Sequence, residues 1–329
     1  MQVTKVVRML AASYSSDVGL KHKDSVNVMA LLDGGKLKRH KSWLKAEPPQ
    51  IMVATLACLC QMTEKECLKL DAMQVLVIDE VDSIFGAAKQ TYLLRKLLTS
   101  YTSIEKRQTI FASASIPQHR RFLHDCIQHK WTKRDVVHIH VHPVEPMPVC
   151  LSHRYVTCQK NEKFDILVSL LGIDAPKLGI IFVNEQSEKS KNAGLLPTTT
   201  ALVEFLRKFN GQRPGGQAHE ISDILVLEES MNFNARTASL SEVRQGSHLL
   251  VATDLAARGL DLPETSHIYN FDLPKSATDY IHRAGRTGRK PFSSEKCIVT
   301  NLITTDELFV LERIENELSF KCQKLTFSC

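Results

Sequence analysis

Asp79-Glu80-Val81-Asp82 follows directly on the apolar run Val75-Leu76-Val77-Ile78. In open α/β sheets, ligands bind outside the carboxyl ends of the strands. A carboxylate there can hold Mg²⁺ through water, and its neighbour can orient an attacking water for phosphoryl transfer. A solvated strand-end loop would read the same way, so these four residues alone leave both readings open. A second segment is sharper. His282–Arg289 reads HRAGRTGR, with Arg283, Arg286 and Arg289 at three-residue spacing and glycines between them. Glycine lets the backbone approach a ligand, and guanidinium groups stabilise charge on a transferring phosphoryl group. The plainer alternative is a basic loop that grips phosphate backbone. Between the two lies Ala252–Asp261 (ATDLAARGLD), another polar segment at the end of an apolar run.

Such residues need a sheet to hold them, and the chain offers two alternating blocks of strand-like and helix-like segments, the signature of a parallel α/β sheet. In the first block, Val75–Asp79 and Thr109–Ala112 are apolar on successive residues, as expected for strands covered on both faces. Tyr92, Leu93, Leu94, Leu97 and Leu98 recur between them at helical spacing, with Arg95 and Lys96 opposite. In the second block, Gly179–Val183, Ile224–Leu227, His248–Ala252, His267–Phe271 and Cys297–Leu302 read as strands. Helices are expected over Glu162–Leu171, Thr200–Phe209, Ala235–Gln245 and Asp306–Leu318. The last opens with a capping-box pair, Thr304 and Glu307. Three prolines within His142–Pro148 favour an extended linker. Gln186–Pro197 and Gly211–His219 read as surface loops. Met1–Ala12 reads as an amphipathic helix and not as a signal peptide, which needs a continuous apolar core.

The bulk composition agrees. The 329 residues are enough for two medium domains. No stretch approaches the roughly 20 apolar residues of a membrane span. Forty-two Lys and Arg against 36 Asp and Glu give a net charge of +6, compatible with a nucleic-acid partner. The nine cysteines are scattered and complete no zinc spacing, so buried thiols in a reducing compartment are expected. His138, His140 and His142 alternate with apolar residues and are expected on the outer side of a terminal strand, not on zinc.

In order and separation, these segments resemble the DEAD-box family of ATP-dependent RNA helicases. Asp79–Asp82 looks like motif II, with Val81 where the family usually has Ala. Ser113-Ala114-Ser115 is similar to motif III, Ser115 keeping the hydroxyl of the usual Thr. Gly179–Asn184 is similar to motif IV. Arg236 matches the arginine of the Q-x-x-R element, with Phe233 in the place of Gln. Thr253–Asp261 matches motif V, and His282–Arg289 matches motif VI in full. Around Arg107–Val137 and Met231–Asp261 the likeness is to a plant chloroplast-type member, which implies a chloroplast location.

The resemblance implies an α/β fold of two tandem RecA-like domains with parallel sheets, the first lacking its N-terminal P-loop portion. It divides the chain into a partial ATP-binding domain (1–142), a linker (143–149) and a helicase C-terminal domain (150–329). It also implies ATP and Mg²⁺ as cofactors and RNA as the partner, bound through sequence-independent backbone contacts. Asp79 would bind Mg²⁺, Glu80 would activate water, and Asp82 completes the catalytic motif. Ser113 and Ser115 would couple hydrolysis to domain closure. Arg286 and Arg289 would be arginine fingers, with His282 and Arg258 near the γ-phosphate and Asp261 near the ribose. Gly34, Gly35, Thr55, Arg236, Thr253 and Gly259 would touch the RNA backbone.

Three features depart from the family pattern. Of the 14 glycines, only Gly211 and Gly216 have the gap of G-x-x-x-x-G-K-[ST], and Gln217-Ala218 follows them. Met1 aligns just after motif Ia, so the Q motif and P-loop are expected to lie outside this sequence, in a longer product. These residues by themselves are then expected to hydrolyse ATP poorly. Rival expectations are an ATP-independent RNA-binding or regulatory isoform that uses the second domain, and a fragment that folds incompletely. Motif Ib is altered too, reading Thr55-Leu56-Ala57-Cys58, without the family's tight turn and arginine. Near Gly34-Gly35, the residues Lys36, Lys38, Arg39, His40 and Lys41 form a basic run, either a solvated loop or an RNA contact.

Overall fold

The computed structural model describes residues 2–17, 26–32, 37–86, 88–100, 105–113, 120–139, 147, 150–211, 223–228, 231, 233–243, 245, 249–254, 265–288 and 297–326. The chain divides into two compact units, Met1–His140 and Val141–Cys329. The expected linker, 143–149, lies outside the described residues apart from Met147.

Unit 1 runs α1 (Gln2–Asp17), β1 (Val28–Leu31), α2 (Leu37–Ala46), β2 (Ile51–Ala54), α3 (Leu56–Glu64), β3 (Val75–Ile78), α4 (Val81–Gly86), α5 (Ala88–Ser100), β4 (Gln108–Phe111) and α6 (Arg120–Gln128). Its strands pair in parallel as two separate two-stranded sheets, β1 with β2 and β3 with β4. Each sheet has its own small core. Met29, Leu31, Cys58 and Met62 form one, and Ile78, Val81, Leu94, Leu98, Cys126 and Trp131 form the other.

Several expectations for this unit change. The strand β3 is covered on one face only, because Val75 and Val77 are 52% and 58% exposed while Ile78 is buried. A run of apolar residues specifies a strand but cannot by itself supply a cover for both faces. The same holds for α1, whose stripe residues Val3, Val6 and Leu10 are exposed while Thr4 and Ala11 are buried. On α5 the core side is Leu94, Leu97 and Leu98, and Tyr92 points into water. Lys38, Arg39, His40 and Lys41 of the basic run lie in helix α2 and not in a loop, and Lys36 lies outside the described residues. Residues 136–139 form no strand, and Val137 and Ile139 are exposed, so among the described residues the alternation there has no sheet to pack on. His140 and His142 lie outside the described residues. Among the described residues no His, Cys, Asp or Glu group could hold a metal ion by itself, and no helix is long and apolar enough to cross a membrane.

Unit 2 runs β5 (Leu151–Thr157), α7 (Lys163–Asp174), β6 (Gly179–Val183), α8 (Glu188–Asn192), α9 (Thr198–Gly211), β7 (Ile224–Leu227), α10 (Phe233–Val243), β8 (Leu249–Thr253), β9 (His267–Asn270), α11 (Ala277–Ala284), β10 (Cys297–Ile303), α12 (Leu308–Leu318) and β11 (Gln323–Lys324). The strands make one seven-stranded sheet in the order β11-β5-β10-β9-β6-β8-β7. Every pairing in it is parallel. Helices cover both faces, which is why the strands read as unbroken apolar runs. Ile180 and Phe182 of β6 point to one core with α11 and α12, while Ile181 and Val183 point to the other with α7 and α9.

The expected strands and helices of this unit are all present, with ends shifted by at most three residues. The Thr304–Glu307 capping box forms, Glu307 accepting from the Thr304 N–H at 2.8 Å, and a short 3₁₀ turn precedes α12. Within the expected Gln186–Pro197 loop sits the short helix α8, capped by Ser187, whose hydroxyl accepts from the Ser190 N–H. Residues 212–222, covering most of the other expected loop, lie outside the described residues. The sheet strand β5 and the helix α11 under motif VI had no distinctive sequence signal. Leu151–Thr157 carries His153 and Arg154, and Ala277–Ala284 is too short for periodicity to stand out.

Candidate nucleotide- and RNA-binding site

In unit 1, parallel pairing brings Ile78 beside Phe111, so motifs II and III leave the sheet side by side. The Val81 N–H donates to the Ala112 carbonyl at 3.2 Å, and the Val81 side chain is fully buried. The larger Val in place of the family's Ala is thus accommodated in the core beside Leu94, Leu98 and Trp131. This anchor sets the turn. Glu80 adopts a left-handed conformation, φ 51°, and its N–H donates to Asp79 Oδ1 at 2.9 Å. A non-glycine residue there costs on the order of 1–3 kcal/mol and persists only where its surroundings impose it. Asp79 is exposed and Glu80 half-exposed beyond the strand end. Asp82 turns the other way, accepting from the Ser113 hydroxyl at 2.7 Å. Ser115, Gly34 and Gly35 lie outside the described residues. Thr55 caps α3, its hydroxyl accepting from the Cys58 N–H at 3.4 Å, so the altered motif Ib continues as a helix.

In unit 2, Asn184, Thr253 and Asp254, and Asn270 mark the carboxyl ends of adjacent strands β6, β8 and β9. Helix α11 brings motif VI over them, starting at Ser276, whose hydroxyl accepts from the Asp279 N–H at 3.1 Å. Arg283 is only 1% exposed. Its Nε donates to Asp254 Oδ1 at 2.6 Å, and its Nη2 to Asp254 Oδ2 at 2.7 Å and Asn184 Oδ1 at 3.1 Å. Its Nη1 donates to Asn270 Oδ1 at 3.1 Å and to the Asp272 carbonyl at 2.6 Å. All five guanidinium donors are therefore committed. The group also lies 5.2 Å from the Phe182 ring centroid. By spacing alone Arg283 and Arg286 read alike, and the fold separates them. Arg283 is a buried brace, and with Asp254 and Asn184 it was missed as a distinct role.

Past the brace the chain leaves the helix. Arg286, 9% exposed, donates its N–H to the Arg283 carbonyl, and the Thr287 hydroxyl donates to the Thr265 carbonyl. Gly288 has φ +66°, and a Cβ there would lie 2.9 Å from Leu151 Cδ2 and 3.1 Å from Cys150 Sγ. Gly194 shares the conformation, φ +65°, with open space around it. Gly194→Ala should therefore cost the conformational term alone, roughly 1–2 kcal/mol, and Gly288→Ala should cost more. Thermal melts of the two variants beside the parent check this, and equal shifts would show that Leu151 and Cys150 yield freely. Arg258, Gly259, Asp261 and Arg289 lie outside the described residues. Arg236 on α10 donates from Nη2 to the Glu228 carbonyl at 3.1 Å, and Glu228 Oε1 accepts from the Thr199 hydroxyl. Thr253 is buried.

A model of the DEAD/DEAH box helicase family matches residues 6–122, and one of the helicase conserved C-terminal domain matches residues 162–291. The chain is 61% identical, over 99% of its length, to the chloroplastic DEAD-box ATP-dependent RNA helicase 58 of Arabidopsis thaliana, of which it covers 66%. It is likewise 61% identical to the protein of that name in Oryza sativa subsp. japonica, of which it covers 70%. The chain belongs to the DEAD-box ATP-dependent RNA helicase family. This DEAD-box chain spans about two thirds of the length of those plant relatives. A solved structure of Mss116p bound to ssRNA and AMP-PNP aligns over 97% of the chain and 62% of its own, with TM-score 0.71 and 20% identity. Dbp5 of S. cerevisiae, bound to RNA and ADP BeF3, aligns over 93% of the chain and 79% of its own, with TM-score 0.65 and 19% identity. At that identity the likeness establishes the fold, two tandem RecA-like domains, as the motifs implied.

Proposed function

We propose that these residues serve an ATP-dependent RNA helicase that separates or remodels RNA duplexes locally, and that the protein works in the chloroplast. The observation that carries the reading is the 2.7 Å hydrogen bond from Ser113 to Asp82. It ties the carboxylate turn that would face nucleotide to the strand end that follows it, a direct route from phosphate chemistry to the backbone of motif III. The location rests on the names of the two plant relatives.

In this reading Asp79 would hold Mg²⁺ and Glu80 would orient the attacking water. Among the described residues Asp79 belongs to no group of three or more metal-ligating side chains, which suits Mg²⁺, an ion that keeps several waters and binds one or two carboxylates together with substrate phosphate. When bound, the ion would neutralise charge on the phosphates. Arg286 and Arg289 stabilise the transferring phosphoryl charge, with His282 and Arg258 beside it and Asp261 at the ribose. Gly34, Gly35, Thr55, Arg236, Thr253 and Gly259 contact RNA backbone. Such contacts carry no sequence information. No Gly-x-x-x-x-Gly-Lys segment occurs in the 329 residues, and that observation favours a second reading, ATP-independent RNA binding through unit 2.

The test is phosphate release from ATP by this chain with and without RNA, beside Glu80→Gln. RNA-stimulated release that falls at least about 100-fold in Glu80→Gln, the scale of a lost general base, supports the helicase reading. Salt-dependent RNA binding without release supports the second. Neither activity would exclude both for these residues.

A further inference from the structure

We infer that the exposed face of helix α2 in unit 1 is a stacking and phosphate-gripping surface for single-stranded RNA, centred on Trp43 and Arg39. The inference rests on RNA being this family's partner, and it adds a base-stacking contact to the backbone contacts proposed above.

The register of α2 is fixed from inside. Leu37 and Leu44 pack on the Met29, Leu31, Cys58 and Met62 core, and His40 is buried. Helical geometry then turns Lys38, Arg39, Lys41, Trp43 and Lys45 outward, and all five are exposed. The helix contains no acidic residue. Among the described residues no carboxylate pairs with any of the four cations. Lys38 and Lys41 stand three apart, and Lys41 and Lys45 four apart, spacings at which like charges destabilise a helix. A solvated helix face ordinarily interleaves acids and bases; this one keeps its repulsion. A polyanion laid along it would relieve that repulsion.

The second observation is independent of charge. Trp43 is 45% exposed, and the Arg39 guanidinium lies 4.6 Å from its ring centroid. Indole rings and guanidinium planes are both surfaces on which unpaired bases stack. The pair alone could be a helix staple, since cations gain from an aromatic face. A staple accounts for neither the three lysines nor their lack of partners. A lipid surface is disfavoured, because an interfacial helix needs an outward apolar face, and Leu37 and Leu44 of α2 point inward.

The chain offers its own reporter. It has two tryptophans, Trp43 and the 3%-exposed Trp131. A change in tryptophan emission on adding RNA therefore reads mainly Trp43. The experiment titrates the full 329-residue chain with fluorescein-labelled oligouridylate, following anisotropy and tryptophan emission together, and repeats it with anionic phosphatidylserine vesicles. Expected results are quenching by oligouridylate, about tenfold weaker RNA binding in Trp43→Ala, and near-parental binding in Trp43→Phe. Replacing Lys38, Lys41 and Lys45 together by Gln should reduce the log–log salt slope by about 2. Far-UV circular dichroism identical to the parent establishes that the variants fold. Binding by anisotropy with no tryptophan change and an unaltered Trp43→Ala affinity would overturn the inference and leave RNA as the partner. Absence of RNA binding in the parent chain would overturn both. Quenching by vesicles and not by oligouridylate would assign the face to a lipid surface and overturn it as well.

Discussion

Asp254→Ala should be among the most damaging single substitutions in unit 2, at about 3–5 kcal/mol. It leaves the Arg283 guanidinium, 1% exposed, without the carboxylate that takes two of its five donors. The Asp254 side chain is itself 24% exposed, so water can partly replace it and the lower end of that range applies. Arg283→Lys keeps the charge but offers three donors from a point in place of a planar fork. It should lose much of the brace across Asn184, Asn270 and Asp272. Both tryptophans lie in unit 1, so fluorescence does not report on this lesion. Amide hydrogen exchange in β6, β8 and β9 does, and Asp254→Ala should raise it there while unit 1 is unaffected. The double variant Asp254→Ala/Arg283→Met should lose less than the sum of its parts, because the second change removes the stranded charge. A shift below about 0.5 kcal/mol in Asp254→Ala, the range of an ordinary surface change, would rule out the brace.

The second large effect is a loss of stability on mild acidification. His153 on β5 is buried, and its Nδ1 lies 2.8 Å from the Tyr280 hydroxyl on α11. The Tyr280 oxygen also accepts from Asn301 Nδ2 at 3.4 Å, and the other ring nitrogen of His153 is Nε2. That atom is buried and has no partner among the described residues. Burial pushes the His153 pKa down to about 4, partly opposed by Glu315. In the unfolded chain the value is about 6.5. Between these values the unfolded chain binds more protons, so stability is fully present above about pH 6.5 and falls as the pH drops towards 4. The whole window is worth about 3 kcal/mol. Burial lowers the His267 pKa as well, which adds a contribution of the same sign. Urea midpoints of unit 2, followed by circular dichroism at about pH 7 and 4.5, should differ accordingly. His153→Phe, a ring of similar size beside Phe320, should flatten the dependence. An unchanged slope in that variant would mean other groups carry it.

Which parts of this were readable beforehand follows from how each feature is encoded. Strands β6 to β10 of unit 2 are apolar on both faces because both are covered, so their runs stand out in the sequence. The Thr304–Glu307 box is a local hydrogen-bond pattern and is equally visible. The carboxylate turn could be placed because it follows β3 directly. Strand β5, carrying a buried His153 and a half-buried Arg154, could not, since its polar side chains are satisfied by Tyr280, Thr300 and Asp174 far away in sequence. Residues 137–139 failed in the opposite sense. They alternate as a strand should, yet among the described residues no strand pairs with them.

The sequence by itself determined the family, the order of the motifs and a parallel α/β architecture, because these depend on residue types at short spacing. Only the tertiary structure decided that Arg283 is a buried brace while Arg286 lies beyond the helix, since that difference arises from Asn184, Asp254 and Asn270 converging from three strands. It also decided that Val75, Val77 and the α1 stripe remain in water. Apolar periodicity states what a segment could bury, whereas burial depends on a second surface that comes from elsewhere in the chain.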